Sequence, residues 1–323
     1  MMKAMLKGFW RVVSSPGLIV WLWLVNLVVA LPAAWVMTDS LRSSIGASLV
    51  DEKLTESFDM GWYGEFETKA KGLETTFTPT VTGMGAFYNN LESWLHGDLF
   101  KEFPGLVGLG LVFALLWALF LGGVLDRFSG GDFNLTRFFC AWGRFFFRFI
   151  RLAALSGIVY YLIYRFSGWL FSRVEESVID ITVERTVFFY TLFAAGLTVF
   201  LLTFVNMAFD YAKIVTFKEE RKSMLLAALR GFGFVFSNPV KTMGLYYGLG
   251  ALGIVLLALY SSLAPGATQA TASGVALAFF IGQAYLIVKL MLRLMFYAGQ
   301  MALYEKVSAT PSISVPSEVT TGT

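Results

Sequence analysis

The sequence predicts an all-helical, polytopic membrane bundle with about six transmembrane helices, cytoplasmic amphipathic surface helices and a helical extracytoplasmic cap. Three observations predict the class: the composition is too apolar for water, the apolar residues fall in blocks long enough to cross a bilayer, and no block alternates with a two-residue period. Hydrophobic residues make up 57% of the 323 residues and charged ones 15%, where an ordinary soluble domain carries about 25% charge. Mean hydropathy is +0.67. A helix needs roughly 20 apolar residues to cross the hydrocarbon core, and the six blocks 18–37, 105–125, 152–171, 187–209, 243–264 and 275–297 meet that length. A barrel strand would alternate lipid-facing and lumen-facing residues. Gly and Pro inside several blocks suit membrane helices. Residues 1–306 are therefore expected to be a single membrane domain.

The first block follows Lys3, Lys7 and Arg11 and ends in LPAAWV, a pattern shared with secretory signals. Its apolar core exceeds the usual signal length of about 7–15 residues, so a retained span is expected. Residues 38–104 then form the cap. Leu41, Ile45, Leu49 and Phe58 recur on one helical stripe, and Phe87, Leu91, Trp94, Leu95 and Leu99 on another. Trp62, Tyr63 and Trp94 are expected to anchor the cap at the interface. His96, the one histidine, lies in this cap and is read as a surface residue, because a metal site needs more ligands than its neighbours supply. No metal and no cofactor are expected, the usual axial ligand of a haem being histidine.

After the second span comes RFFCAWGRFFFRFIRL, residues 137–152. At about 100° per residue, Arg137, Arg144, Arg148 and Arg151 fall within an arc of roughly 60°, opposite Phe138, Phe139, Trp142, Phe145, Phe146 and Phe149. This pattern is an amphipathic helix with a basic and an aromatic face. One reading places Trp142 and the other rings in the headgroup boundary, with the arginines on anionic lipid phosphates. The plainer reading has the arginines fix topology while the rings pack on neighbouring spans. After the third span, Glu176, Asp180 and Glu184 recur every four residues and are read as a solvated helix face. The link after the fourth span has a polar turn, a helical run over 223–236, and Asn238-Pro239, which interrupts the helix before the fifth span. Residues 307–323, rich in Ser, Thr, Pro and Val, are expected to be a disordered cytoplasmic tail.

Orientation follows from Lys and Arg. The N-terminal segment and the links after spans two and four are basic, whereas 38–104 is dominated by Asp and Glu. With six spans these basic segments share one side, so both termini are expected in the cytoplasm. Polar residues at membrane depth each need a reason. Asp126 ends the second span, Asn206, Asp210 and Lys213 form a stripe in the fourth, and Gly282, Lys289, Arg293 and Gln300 lie along one face of the sixth. Ion pairing of Lys289 or Arg293 with Asp210 or Asp126 is one expectation; snorkelling of the basic side chains to the headgroups is the other. Gly282 is the expected point of close helix approach. The similar surroundings of Asp126 (LDRF) and Asp210 (FDYAK) suggest a parallel internal repeat over 105–171 and 187–264, an arrangement known in transporters.

The stretches GGVLDRF, RFFFRFIRL, NMAFDYAKIV and GWYGEF resemble a group of bacterial six-span integral membrane proteins that has no assigned activity. The resemblance spans most of residues 1–305 and implies a multi-pass protein of the bacterial cytoplasmic (inner) membrane. No catalytic residue is expected. Walker-type phosphate loops, His-Glu-x-x-His and Cys-x-x-Cys are absent from the sequence, and a single histidine in the cap argues against a serine-hydrolase triad. Three function classes stay open. The first is a non-enzymatic scaffold or accessory subunit of a membrane assembly, with membrane lipids, anionic ones above all, as its partners, and with room for a protein partner or a homo-oligomer. A permease-like transporter is the alternative. A lipid-modifying enzyme is the third, with Asp126 and Asp210 as its only candidate pair. Nucleic acid is not an expected partner, because nothing resembles an RNA- or DNA-reading module.

Overall fold

A computed structural model describes residues 2–46, 59–77, 104–131, 133–179, 181, 183–264 and 271–309. Among the described residues all regular structure is helical: α1 Met2–Val13, α2 Pro16–Ile45, α3 Met60–Lys69, a short 3₁₀ turn Gly72–Thr76, α4 Pro104–Phe128, α5 Leu135–Val178, α6 Glu184–Lys218, α7 Met224–Ser237, α8 Pro239–Leu263 and α9 Ala272–Ser308. Six of them, α2, α4, α5, α6, α8 and α9, are long and apolar enough to cross a membrane, and the predicted blocks fall on them in order, the fifth passing the end of α8 by one residue. The protein is a polytopic helical membrane bundle. α7, with 14 residues, reaches only about 21 Å.

The helix starts are set by local chemistry. Asn134 accepts a hydrogen bond from the Thr136 amide at the start of α5, Ser223 from Leu226 at the start of α7, and Thr271 from Gly274 at the start of α9. Each occupies an orphan amide of a first turn. Pro239 stands in the first turn of α8, where it has no amide to lose. It also terminates α7, as expected.

Several expectations are corrected. The basic segment 137–152 is not a separate surface helix. It is the first part of α5, a single rod of 44 residues, about 66 Å long, because no proline or other breaker separates it from the third span. α2 runs to Ile45, so Leu41 and Ile45 belong to the span helix rather than to the cap. Glu176 and Glu184 do not share a helix face: α5 stops at Val178 and α6 starts at Glu184, and Glu176 pairs with Arg173 at 2.8 Å; Asp180 of the expected acidic face lies outside the described residues. Of the cap itself, α3 and the 3₁₀ turn are described. Trp62 stacks on Phe66 at 5.6 Å between ring centres, Phe77 meets both edge-on, and Trp62 Nε1 donates to Ser44 Oγ of α2. Trp62 is thus buried and holds the cap to α2 rather than anchoring it in lipid. Leu49, Phe58, Phe87, Leu91, Trp94, Leu95, His96 and Leu99 lie outside the described residues, as do residues 310–323 of the tail.

The core sits at one end of the bundle. Its residues are Leu18 and Leu22 at the start of α2, Leu121 to Phe128 at the end of α4, Phe138 to Leu152 at the start of α5, Val205 to Thr216 near the end of α6, Leu245 and Leu249 at the start of α8, and Leu290 to Leu303 toward the end of α9. This is also the end that carries most of the Lys and Arg residues, hereafter the basic end. Toward the opposite end apolar side chains are exposed on several spans, for example Val28, Phe193, Ile254 and Phe280, each more than 60% accessible. α9 is central to the bundle, packing against α1, α2, α4, α6 and α8. α1 lies on it through small residues. A Cβ on Gly8 would come within 2.8 Å of the Gly299 backbone, so the two helices cross in near contact there. The expected crossing at Gly282 does not occur, since nothing lies within 4 Å of the position its Cβ would take.

Candidate functional site

At the basic end, carboxylates organise the surplus of cations. Asp126, in the last turn of α4, is held in a bidentate fork by Arg137 in the first turn of α5, at 2.7 and 3.1 Å. Glu220, just past α6, pairs with Arg144, and its carbonyl accepts from Arg148 Nη1 at 3.1 Å. Glu219 accepts from Arg221, from Arg230 of α7 and from the Tyr304 hydroxyl of α9. Glu305, the one carboxylate in the last turns of α9, receives Arg11 of α1 and Lys218 of α6, both at 2.8 Å, and so ties three helices together. Partial burial pushes the Glu219 carboxyl upward, but the hydrogen bonds from Arg221 and Tyr304 and the charges of Arg230 and Arg221 overrule it and hold the group below the usual carboxylate range.

The rings of 137–152 divide differently from the amphipathic expectation. Phe138, Phe145 and Phe149 are buried, Phe138 against Phe120 of α4 and Phe145 against Phe217 of α6. They pack on neighbouring helices instead of entering the headgroup boundary. Phe147 points outward at 73% exposure, and Trp142 lies against the exposed Phe139. Of the four arginines, Arg137, Arg144 and Arg148 are engaged as above, while among the described residues Arg151 donates only to the Phe147 carbonyl of its own helix. Between α4, α5 and α6 a cleft of about 490 Å³ opens, lined by Asp126, Arg137, Cys140, Arg144, Lys218 and Glu220.

A second group of polar residues runs between the spans. Asp210, 6% exposed, accepts from Lys213 Nζ at 2.8 Å and from Gln300 Nε2 of α9 at 3.3 Å. One turn away, Asn206 accepts from the Tyr160 hydroxyl of α5 and donates to the Tyr246 hydroxyl of α8 at 2.6 Å. Lys213 also stands 5.7 Å from the Tyr297 ring, Tyr297 packs against Trp117 of α4, and Trp117 lies 3.7 Å below the Arg293 guanidinium. Asn206, Asp210, Lys213 and Arg293 thus belong to one continuous column contributed by α4, α5, α6, α8 and α9. Asp126 and Lys289 stand apart from it.

The expected ion pairs of Lys289 or Arg293 with Asp126 or Asp210 are therefore corrected. Arg137 takes Asp126 and Lys213 takes Asp210, both by short local reach, and Arg293 is held by rings. Arg293 also does not extend toward the basic end, since its second ring partner is Phe113, a turn farther from that end along α4. Lys289 is exposed and has no hydrogen-bond or ion-pair partner among the described residues. The two aspartates of the suspected repeat differ in role, Asp126 closing a helix-to-helix turn and Asp210 lying two turns inside α6. They share no partner that would make them an acid–base pair. Sequence reasoning missed Glu305, Trp117, Tyr160 and Tyr246, and it missed α1. The Ala4-Gly8-Val12 spacing on α1 and the isolation of Glu305 among basic residues were the available signals. Among the described residues no group of three His, Cys, Asp or Glu side chains is placed to hold a metal ion.

Fold and site together define a multi-pass helical membrane protein with an ion-paired basic end. Compared with known proteins, the chain matches no family model, no curated protein and no solved structure.

Proposed function

We propose that this chain is a non-enzymatic integral membrane protein, a scaffold or accessory subunit of a membrane assembly, whose basic end lies on the cytoplasmic side of a bacterial inner membrane and binds anionic lipid. The row of Arg144, Arg148 and Arg151 on α5, which starts in the cleft between α4, α5 and α6 at Arg144, carries the reading. A guanidinium has five N–H donors. Glu220 engages Nη2 of Arg144, and its carbonyl engages Nη1 of Arg148, which orients both forks and leaves further donors facing solvent for phosphate oxygens. Arg151 and the exposed Phe147 continue the same surface of α5, pairing a cation with a ring as headgroup binding requires. Surface attraction of this kind contributes about 1 kcal/mol per basic residue. Replacing Arg144, Arg148 and Arg151 together by Gln is expected to weaken retention of phosphatidylglycerol in native mass spectrometry of the purified protein, while phosphatidylcholine retention stays level. Equal phosphatidylglycerol retention before and after the change would overturn the reading.

The transport alternative draws on a different observation. Gln300 Oε1 and the Tyr211 hydroxyl, both fully buried beside Asp210, have no hydrogen-bond partner among the described residues, and such orphans at depth mark sites that a solute, ion or water completes.

A further inference from the structure

We propose that Arg293 and Lys289 form a second, deeper seat for the headgroup of an anionic phospholipid, separate from the surface of the basic end. Arg293 is half-buried in α9, its guanidinium 3.7 Å from the Trp117 ring and 5.1 Å from Phe113. Aromatic faces stabilise the flat face of the cation, but they offer nothing to its five N–H donors, which lie in its edge. No carboxylate, carbonyl or hydroxyl among the described residues accepts from Arg293. Lys289, one turn earlier and on the same helix face, has no acceptor either.

Depth separates this pair from the paired cations. Trp117 lies nine residues before Asp126 in α4, about 13 Å along the axis, and Phe113 lies farther in. An unpaired guanidinium at that depth is costly and calls for an anion. Among the described residues the nearby carboxylates are engaged by Arg137 and by Lys213, so the anion of the proposed seat comes from a bound lipid. The surroundings identify its kind. Along α4 the seat is flanked by exposed Leu111, Val112 and Phe113, and on α9 Leu286 is exposed one turn from Lys289. A small hydrated anion would lose its water against these apolar walls, whereas a phosphate joined to acyl chains places its charge on the two cations and its chains along the exposed apolar surface.

The test is native mass spectrometry of the full-length protein with phosphatidylglycerol, phosphatidylcholine and inorganic phosphate as probes. Arg293→Gln/Lys289→Gln is expected to retain phosphatidylglycerol about thirtyfold more weakly at one site, the size that two basic residues contribute at a headgroup. Lys289→Gln alone, at an exposed position with no packing role, is expected to give a severalfold loss and guards against a folding artefact. The Arg144→Gln/Arg148→Gln/Arg151→Gln protein should keep this site while losing others, so failure here and failure of the surface reading are separable. Unchanged phosphatidylglycerol retention in both Arg293 and Lys289 variants would overturn the proposal. So would equal retention of phosphatidylcholine, or displacement of the lipid by millimolar inorganic phosphate, which would assign the seat to soluble anions.

Discussion

Asp126 and Asp210 end similar sequence stretches, yet the structure gives them different work. Asp126 meets Arg137 across the turn that joins α4 to α5 and stays near solvent, with its side chain 19% exposed, against 8% for Asp210. Asp210 lies within the column, where Lys213 and Gln300 match its two oxygens. A buried carboxylate that loses its cation keeps the cost of its own desolvation, so the two members of the pair should depend on each other. In equilibrium unfolding in detergent, Asp210→Asn and Lys213→Met are expected to be non-additive by about 0.5–3 kcal/mol, the range for residues in contact. Asp210→Asn combined with Arg293→Gln should add to within about 0.5 kcal/mol, because those groups share no partner. Additive losses for the first pair would mean that Lys213 faces water and leaves Asp210 to Gln300 alone.

At the scale of elements, the contrast between α5 and the α7–α8 pair has a simple chemical origin. Both connections begin with a basic segment that packs back along the preceding helix, α5 on α4 and α7 on α6. Asn238-Pro239 ends α7 and restarts the chain as α8, whereas Leu152 to Leu155 carry α5 through without a break. α1 is joined to α9 by close backbone approach at Gly8 and Gly299 and by the Arg11–Glu305 ion pair. In such crossings the small residue is the condition for contact. Gly8→Leu is expected to cost about 1–3 kcal/mol, as overpacking does, and to make the bond after Lys3 or Lys7 more sensitive to trypsin. Gly282→Leu, with open space around it, should lie within about 0.5 kcal/mol of the wild type. Equal effects at the two positions would place the α1–α9 contact elsewhere.

At the scale of the whole molecule, the packed core and the charge network coincide at one end, and the apolar surface opens toward the other. α5, α6 and α9, with 44, 35 and 37 residues, exceed the roughly 20 residues a bilayer core requires, so they extend beyond it. Water drives helices together outside the hydrocarbon, whereas inside it lipid tails compete on equal terms with apolar side chains. The single cysteine, Cys140, is exposed and lines the cleft, which makes it a native reporter of the proposed orientation. A membrane-impermeant maleimide is expected to label it in inside-out vesicles and to spare it in intact spheroplasts. Labelling of intact spheroplasts would reverse the topology and remove the cytoplasmic lipid surface.

The sequence by itself determined the helical class, the number and order of the spans, the breaks at Pro239 and before α9, and the gathering of basic residues at one end. These are local properties, because hydropathy along twenty residues and a proline's missing amide act wherever the chain goes. Tertiary structure decided which charges meet: Glu305 with α1 and α6, Asp126 with Arg137, Arg293 on Trp117 and not on a carboxylate. It also turned Phe138, Phe145 and Phe149 inward, although a helical wheel assigns them only to a face. Partners of that kind depend on which faces of separate helices come into register, and small residues such as Gly8 and Gly299 set that register through contacts between positions almost three hundred residues apart in the chain.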